Sequence, residues 1–448
     1  MWCIRRAGCV LLALLSLPAQ AELPAGVVKI ALDVRSESPA LALTHDGRLL
    51  VSAAVSRGCS TEAWLLRLLP DGRPDPAFGQ AGVVVVKGGA GDASLVPEAL
   101  ALQADGRVVL AGSAYPAQRQ DGDFLLMRFL PDGRPDPGLD GRGWLATGIG
   151  RSHDMARGVT VLADGRIIAA GGSLQRQMLI SARYDFAVVA YQADGRLDRR
   201  FSGKGKALFR VGTVSEDFAE AVLADRQGRI LVAGMMHSRG NPDLALLRLQ
   251  ADGRPDRAFA RGGTLVRSFG DATSTVAKAI AVQADGRILL AGTTHQRISR
   301  DDGSTGLDSA GVLLRHDDAG QPDPTFGQAG VVRLPMVSGL AAIQLQDDGR
   351  IVLLGTRSTT RQQWAAMRVM RLHPDGTPDT GFGEDGVASV ELGSHLTATG
   401  LALAANGTIF VCGSASTRFQ DPATRQDNGL VLFALTPQGR LDTTFGAR

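Results

Sequence analysis

A glycine-marked turn recurs along the whole chain and restricts the possible folds more than any other feature. The turn reads DGR or a close variant, and its glycines are 58 to 63 residues apart. Self-similarity at such a period indicates a repeat architecture in which each repeat is one supersecondary unit. One unit written seven times therefore accounts for the 448 residues. The turn glycines are Gly47, Gly106, Gly165, Gly228, Gly286, Gly349 and Gly407.

A second glycine turn lies between successive first turns, and an aspartate follows each of its glycines three residues later. We predict that this aspartate is structural, because Asp in a turn accepts hydrogen bonds from backbone N–H groups just ahead of it. A calcium site is less favoured, since calcium needs several converging oxygens and each loop supplies one or two carboxylates. The aspartates are Asp75, Asp136, Asp198, Asp256, Asp323, Asp379 and Asp442.

Each unit contains four stretches that are typical of strands. In the second unit these are "EALALQA", "VVLAGSA", "DFLLMRFL" and a short apolar stretch near Trp144. Asp-Gly turns between such stretches predict antiparallel hairpins. Four antiparallel strands at this period are typical of a propeller blade, whereas a parallel β-helix would have a shorter period. The sequence predicts an all-β, seven-bladed β-propeller of four-stranded antiparallel blades over residues 22–448.

The N-terminal segment is predicted to close the ring. The chain ends at "LDTTFGAR" without a fourth strand, while "AGVVKIAL" from Ala25 matches "AGVVVV" from Ala81. The N-terminal strand should therefore complete the seventh blade through main-chain hydrogen bonds. A small residue lies seven positions before each first-turn glycine, as expected for innermost strands that crowd around an axis.

These motifs, together with D-x-x-F-G-x-x-G after the second turn, resemble the bacterial delta-60 repeat family over essentially the whole mature chain. The resemblance implies a β-propeller related in layout to the NHL-repeat proteins, and it supplies no catalytic residue. Three units depart from the pattern: Leu139 replaces the Phe in the second, and the third and fourth read "LDRRFSGKG" and "PDRAFARGG".

The first 21 residues have the pattern of a secretory signal peptide. Arg5 and Arg6 precede an apolar run that ends before "AQA", so cleavage is expected before Glu22. The run is too short to span a bilayer. We expect a bacterial protein that is exported to the periplasm or secreted, and that is not membrane-spanning after cleavage. Cys59 and Cys412 then remain, either as one disulfide or as two thiols.

Charge and composition exclude one class of partner. The chain has 48 basic and 45 acidic residues, which argues against a nucleic-acid binder, since such proteins carry a basic stripe.

Arginine recurs within the third strand of five units, at Arg67, Arg128, Arg248, Arg315 and Arg371. A buried arginine needs a partner. We expect each to contact backbone carbonyls or an acid of a neighbouring blade. The arginines of the turns are expected to form a salt-bridged, solvated rim.

Functional residues should lie on the connections that break the repeat, on the face opposite the DGR turns. His153, His237, His295 and His395 lie there with Asp154, Asp217 and Asp271. Such groups bind a divalent metal ion or act in acid–base chemistry when they converge. The competing interpretation is loop histidines too far apart to converge.

We therefore predict a binding scaffold for a protein, peptide or envelope ligand on the long-loop face, acting as a monomer without a cofactor. One alternative is a metal-assisted hydrolase or lyase at the axial opening, which would need a divalent metal. Another is a mainly structural envelope protein. The fold does not decide between them, because propellers host many activities.

Overall fold

The computed structural model describes residues 23–32, 39–57, 60–89, 93–117, 121–150, 152–177, 181–212, 216–237, 241–270, 273–299, 305–358, 365–392, 395–416 and 429–447. These residues form twenty-eight strands, and none of them is helical. The prediction of an all-β fold built from four-stranded antiparallel sheets is confirmed. A search of the described residues for a helix capable of crossing a membrane finds none.

Strand β1 (Val27–Ala31) comes first in the chain and is followed by five four-stranded sheets, units 1 to 5. Unit 1 contains β2 (Ala40–Leu43), β3 (Leu49–Arg57), β4 (Ser60–Leu68) and β5 (Val83–Val86). Unit 2 contains β6 (Ser94–Leu102), β7 (Val108–Tyr115), β8 (Asp123–Phe129) and β9 (Trp144–Thr147). Unit 3 contains β10 (Asp154–Val161), β11 (Ile167–Gln177), β12 (Ser181–Tyr191) and β13 (Lys206–Phe209).

Unit 4 contains β14 (Phe218–Ala224), β15 (Ile230–His237), β16 (Pro242–Leu249) and β17 (Thr264–Arg267). Unit 5 contains β18 (Thr273–Val282), β19 (Ile288–Ser299), β20 (Thr305–His316) and β21 (Val331–Leu334). Unit 6 contains β22 (Gly339–Leu345), β23 (Ile351–Ser358), β24 (Ala365–Leu372) and β25 (Val387–Val390). Unit 7 contains β26 (His395–Leu403), β27 (Ile409–Ser416) and β28 (Gly429–Leu435), with β1 as its fourth strand.

Strand β1 pairs antiparallel with β28, with Val27 opposite Phe433 and Ala31 opposite Gly429. Units 6 and 7 are the two halves of an eight-stranded sheet, joined by a single parallel pair between Ala365 and His395.

The DGR turns have the geometry that makes glycine necessary. Gly106 has φ 82°, a left-handed conformation that glycine adopts without steric cost. Its N–H donates to the Gln103 carbonyl at 3.0 Å, and the Asp105 carboxylate accepts a hydrogen bond from the Arg107 N–H at 3.1 Å. The Asp and Gly of the motif are thus fixed by the hairpin itself.

The Phe of the repeated D-x-x-F-G phrase packs one unit against the next. The Phe78 side chain of unit 1 is fully buried, and a Cβ added to Gly133 of unit 2 would lie 2.8 Å from its ring. The residue after the Phe has a left-handed backbone conformation in each unit, which explains why it is usually glycine. Asp140, Ser202 and Ala260 keep that conformation without being glycine, with φ of 44–52°.

An arginine–aspartate pair reinforces the same junction. Arg67 Nε donates to Asp75 Oδ2 at 2.8 Å, and its Nη1 donates to the Pro131 carbonyl of the next unit at 2.6 Å. The expected carbonyl contact is therefore present, and the acid lies in the arginine's own unit. Arg248 also contacts an acid of the neighbouring unit, with its Nη1 3.0 Å from Asp318 Oδ1. The same pairs recur as Arg128 with Asp136, Arg248 with Asp256, Arg315 with Asp323 and Arg371 with Asp379.

The turn aspartate also accepts hydrogen bonds from the backbone ahead of it. Asp75 Oδ1 accepts from the Ala77 N–H at 3.0 Å. Burial acts to raise the pKa of Asp75, but the Ala77 N–H and the Arg67 guanidinium outweigh it, so the net pKa lies below its ordinary value. The carboxylate is therefore held ionised inside the junction.

Unit 3 lacks the strand arginine and has Ala190 there. Asp198 of this unit pairs with Arg200, whose Nε donates to Asp198 Oδ1 at 2.9 Å. Arg166 of the first turn supplies the contact to the next unit, since its Nη1 donates to the Ala251 carbonyl at 2.8 Å and lies 3.5 Å from Asp198 Oδ2. The junction thus keeps the same chemistry, although neither arginine lies on the third strand.

His316 replaces the apolar residue that ends the third strand in most units, such as Leu68 or Leu249. It is 2% exposed, and its Nδ1 has no hydrogen-bond partner among the described residues. Burial, reinforced by nearby Arg267 and opposed by Asp317, lowers the pKa of His316 to about 4. The unfolded chain therefore binds a proton that the folded chain does not between pH 6.5 and 4.

This difference predicts that His316 destabilises the fold in acid. The pKa of His316 is about 4 in the folded chain and 6.5 in the unfolded chain. The free energy of unfolding is therefore unaffected by His316 above pH 6.5 and falls by about 3 kcal/mol as the pH is lowered to 4. His316→Leu should remove this loss, because leucine occupies the equivalent position in other units. Urea unfolding at pH 7 and pH 4 measures both proteins. Parallel pH profiles would contradict the assignment.

Candidate functional site

The predicted aspartate ligands stabilise the loops that precede first strands. Asp154 is fully buried and accepts hydrogen bonds from the N–H groups of Ile149 at 2.7 Å and Gly150 at 3.2 Å. Asp217 of unit 4 does the same for Val211 at 2.9 Å and Gly212 at 2.6 Å. Asp271 lies outside the described residues.

The four predicted histidines lie in units 3, 4, 5 and 7, each with its own local contacts. His237 Nδ1 lies 3.0 Å from the Glu216 carbonyl, and His295 Nδ1 lies 2.7 Å from Ser309 Oγ. His395 begins β26. In the part of the chain that the structure describes, no three His, Cys, Asp or Glu side chains are grouped to hold a metal ion.

The thiol of Cys412 is free and buried, and burial raises its pKa to about 12. Cys59, its possible disulfide partner, lies outside the described residues, so the question of pairing concerns a residue that has no described position.

The structure assembles a different set of side chains on the long-loop face, from units 2, 3 and 4. Tyr115 at the end of β7 contacts the His153 ring, with centroids 5.4 Å apart. Tyr184 on β12 contacts the ring of buried Phe218, with centroids 5.6 Å apart. The two pairs lie in the same region of the loop face, since Tyr115 is among the groups whose charge would raise the pKa of Tyr184.

Acidic groups lie in the same region as these rings. Burial is the main cause that raises the pKa of Tyr184, followed by Tyr115, Glu216 and Asp121. We call Tyr115, Asp121, His153, Tyr184 and Glu216 the loop-face patch. All five are half-buried or exposed, so they are accessible to a ligand.

His153 is held in one tautomer. Its Nδ1 accepts a hydrogen bond from the Gly122 N–H at 2.9 Å, so the proton of the neutral ring is on Nε2. Burial lowers the pKa of His153, against the opposing effect of Asp121 and Asp154. At neutral pH the patch therefore presents a neutral ring with an Nε2–H donor.

A salt bridge between first strands lies beside Phe218 of this region. Arg157 Nη1 contacts Glu98 Oε2 of the preceding unit at 2.6 Å, and its guanidinium lies 5.6 Å from the Phe218 ring centroid. Both charged residues lie at β-bulges, where one extra residue interrupts the pairing with the second strand. A second such pair, Lys278 with Glu220 at 2.9 Å, links units 5 and 4.

Sequence reasoning missed the tyrosines because they do not follow the repeat. The chain has three tyrosines, and two of them are in the patch. Their scarcity and their position next to irregular connections were the signals that could have identified them.

Glu216 of the patch has a strained backbone, with φ 88°. This conformation costs a non-glycine residue about 1–2 kcal/mol. It is held because the neighbouring Asp217 N–H donates to the Tyr184 carbonyl at 2.9 Å and His237 contacts the Glu216 carbonyl. Strain of this kind is often retained where it positions a functional group.

We predict that Glu216→Gly stabilises the fold by about 0.5–1 kcal/mol, since glycine adopts this φ freely. Glu216→Ala is the matched control, because it removes the same carboxylate and keeps the strain. Chemical denaturation should rank the glycine variant above both the alanine variant and the parent. An alanine variant at least as stable as the glycine variant would show that the backbone is not strained.

Comparison with known proteins supports a β-propeller. A family model described as "Domain of unknown function (DUF5122) beta-propeller" matches residues 103–139, 228–259 and 346–382. Each matched segment begins at or near a first turn and ends at the D-x-x-F phrase that precedes the fourth strand. No curated protein matches the sequence.

Several solved structures match the chain at low sequence identity. The polysaccharide lyase Uly1 is 8% identical, with 96% of each chain covered and a TM-score of 0.47. A polysaccharide lyase of family PL25, an ulvan lyase, is 10% identical, with 92% of this chain and 97% of that chain covered and a TM-score of 0.43. The α-L-arabinanase of Penicillium chrysogenum is 10% identical, with 92% and 100% covered and a TM-score of 0.42.

Proposed function

We propose that the seven units form one closed propeller ring. Support comes from the first strands, since each contacts the next around the set β2, β6, β10, β14, β18, β22 and β26, and β26 contacts β2. Buried Leu49 and Val51 of unit 1 also share a core cluster with Leu432 of unit 7. The Phe445 ring lies against Gly72 as Phe78 lies against Gly133. Ring closure would make a rigid platform for the loop face.

The ring would act as an exported, monomeric scaffold of the bacterial delta-60 type, in the periplasm or outside the cell. Cleavage after residue 21 would leave β1 whole, because that strand begins at Val27. The predicted signal peptide itself lies outside the described residues.

The bound partner would be a protein or peptide segment that carries lysine or arginine. The observation that carries this proposal is the loop-face patch, in which two tyrosines share one region of the face with Asp121 and Glu216. Aromatic faces attract ammonium and guanidinium groups, and carboxylates form charge-assisted hydrogen bonds with them. The Nε2–H of His153 adds a donor for a backbone carbonyl of the same segment.

The enzymatic alternative, a metal-assisted hydrolase or lyase, would require a different tautomer of His153. A general base or metal ligand needs a free ring lone pair directed to the ligand. The Gly122 N–H occupies the Nδ1 lone pair of His153, and Nε2 carries the proton. The geometry therefore favours the binding function.

We predict that a hexalysine peptide binds the mature protein more tightly than a hexaglutamine peptide in calorimetric titrations. The double variant Asp121→Asn, Glu216→Gln should weaken hexalysine binding about thirtyfold, since two lost charge-assisted contacts at about 1 kcal/mol each cost about 2 kcal/mol. Tyr115→Ala with Tyr184→Ala should have a similar effect through the loss of cation–π contacts.

The control is Asp140→Asn with Asp194→Asn, two exposed acids outside the loop-face patch, which should leave the affinity unchanged. Equal binding of the two peptides, or equal losses in the patch and control variants, would contradict the proposed site.

A further inference from the structure

Three departures from the repeat meet at the junction of units 2 and 3. Leu139 stands where the other units have Phe78, Phe201, Phe259, Phe326, Phe382 and Phe445. Tyr191 ends the third strand of unit 3, where Leu68 and Leu249 stand in other units. Arg199 stands, as Arg257 does in unit 4, where units 1, 2 and 5 have the proline that follows the turn aspartate. None of these residues belongs to the loop-face patch.

The departures line a cavity of about 910 Å³ between β9 with its preceding hinge and the second turn of unit 3. Leu139 packs on Gly195, but leucine is smaller than the phenylalanine used at the other junctions. The volume is within the range of about 300–1,000 Å³ that small-molecule sites have. The cavity therefore exists where the sequence fails to fill a junction.

The floor of the cavity combines apolar surface with two hydroxyls. Leu145 and Ala146 supply the accessible apolar part, since Leu139 is only 1% exposed. The buried Tyr191 hydroxyl donates to Thr147 Oγ1 at 2.9 Å. Because Thr147 accepts that proton, its own hydroxyl proton remains to be donated to a ligand.

The rim carries three arginines and two aspartates. Arg142 stacks on Trp144, with its guanidinium 4.0 Å from the ring centroid, and contacts Asp140 at 3.1 Å. Arg196 lies 3.7 Å from Asp194. Arg199 is exposed and forms no ion pair with any described residue. The rim thus has one guanidinium in excess, next to an apolar floor.

We propose that this cavity binds a small organic anion, with its phosphate or carboxylate group at Arg199 and Arg196 and its apolar part on Leu145 and Ala146. Guanidinium groups bind such anions through paired, charge-assisted hydrogen bonds. The site is separate from the loop-face patch, and its ligand has the opposite charge to the one expected there.

Phenyl phosphate is the probe, because it joins an apolar ring to an anion. By ligand-efficiency bounds we expect a Kd of about 1 mM or tighter in calorimetric titration of the mature protein. Inorganic phosphate, which lacks the ring, should bind at least about tenfold more weakly.

Two variants and one control test the location. Leu139→Phe restores the repeat residue and fills the cavity, so it should abolish binding without lowering the melting temperature. Arg199→Ala should weaken binding about tenfold through loss of one charge-assisted contact. Arg257→Ala, at the same repeat position in unit 4 and outside the cavity, should have no effect.

Binding that survives in Leu139→Phe overturns the proposal, as does an absence of binding to the unmodified protein. Equal affinity for phenyl phosphate and inorganic phosphate overturns the assignment of the apolar floor. Equal losses in the variants of Arg199 and Arg257 overturn the assignment of the anion to Arg199.

Discussion

The contact on which the structure depends is a buried aromatic ring pressed against a turn glycine of the next unit. Phe78 on Gly133 is the example, and the Arg67–Asp75 pair beside it ties the same hinge to a neighbouring carbonyl. One contact buries apolar area, while the other holds a charged pair where both partners are hydrogen-bonded. Because a unit cannot bury its faces alone, these junctions convert separate sheets into one fold.

Much of the fold was predictable because tight turns and junctions have strict residue requirements. The left-handed glycines fixed the hairpins, and their period fixed the number of units. The Arg67–Asp75 pairing was also accessible in principle, since both residues recur with a constant separation of eight positions. It was missed because the arginines and the aspartates were interpreted as separate sets.

The candidate sites were less predictable, because their residues come from different units and do not repeat. Tyr115 and Tyr184 come from different units, and the packing of units 2, 3 and 4 brings them to one region of the loop face. The histidines drew attention through their chemistry, but backbone groups already use Nδ1 of His153 and of His237. Leu139 departs from the repeat, but the sequence does not show whether a neighbouring side chain fills the space that the missing phenylalanine ring leaves.

The central claim is that the aromatic contact closing the ring is equivalent to those at the other junctions, which Phe445→Ala tests against Phe326→Ala. Both rings are at most 2% exposed. In a closed ring, both variants should lower the free energy of unfolding similarly, by about 3–5 kcal/mol, because each removes a buried aromatic ring from a junction. Urea denaturation of the two variants and the parent measures this. An open ring would leave Phe445→Ala close to the parent while Phe326→Ala shows the full loss.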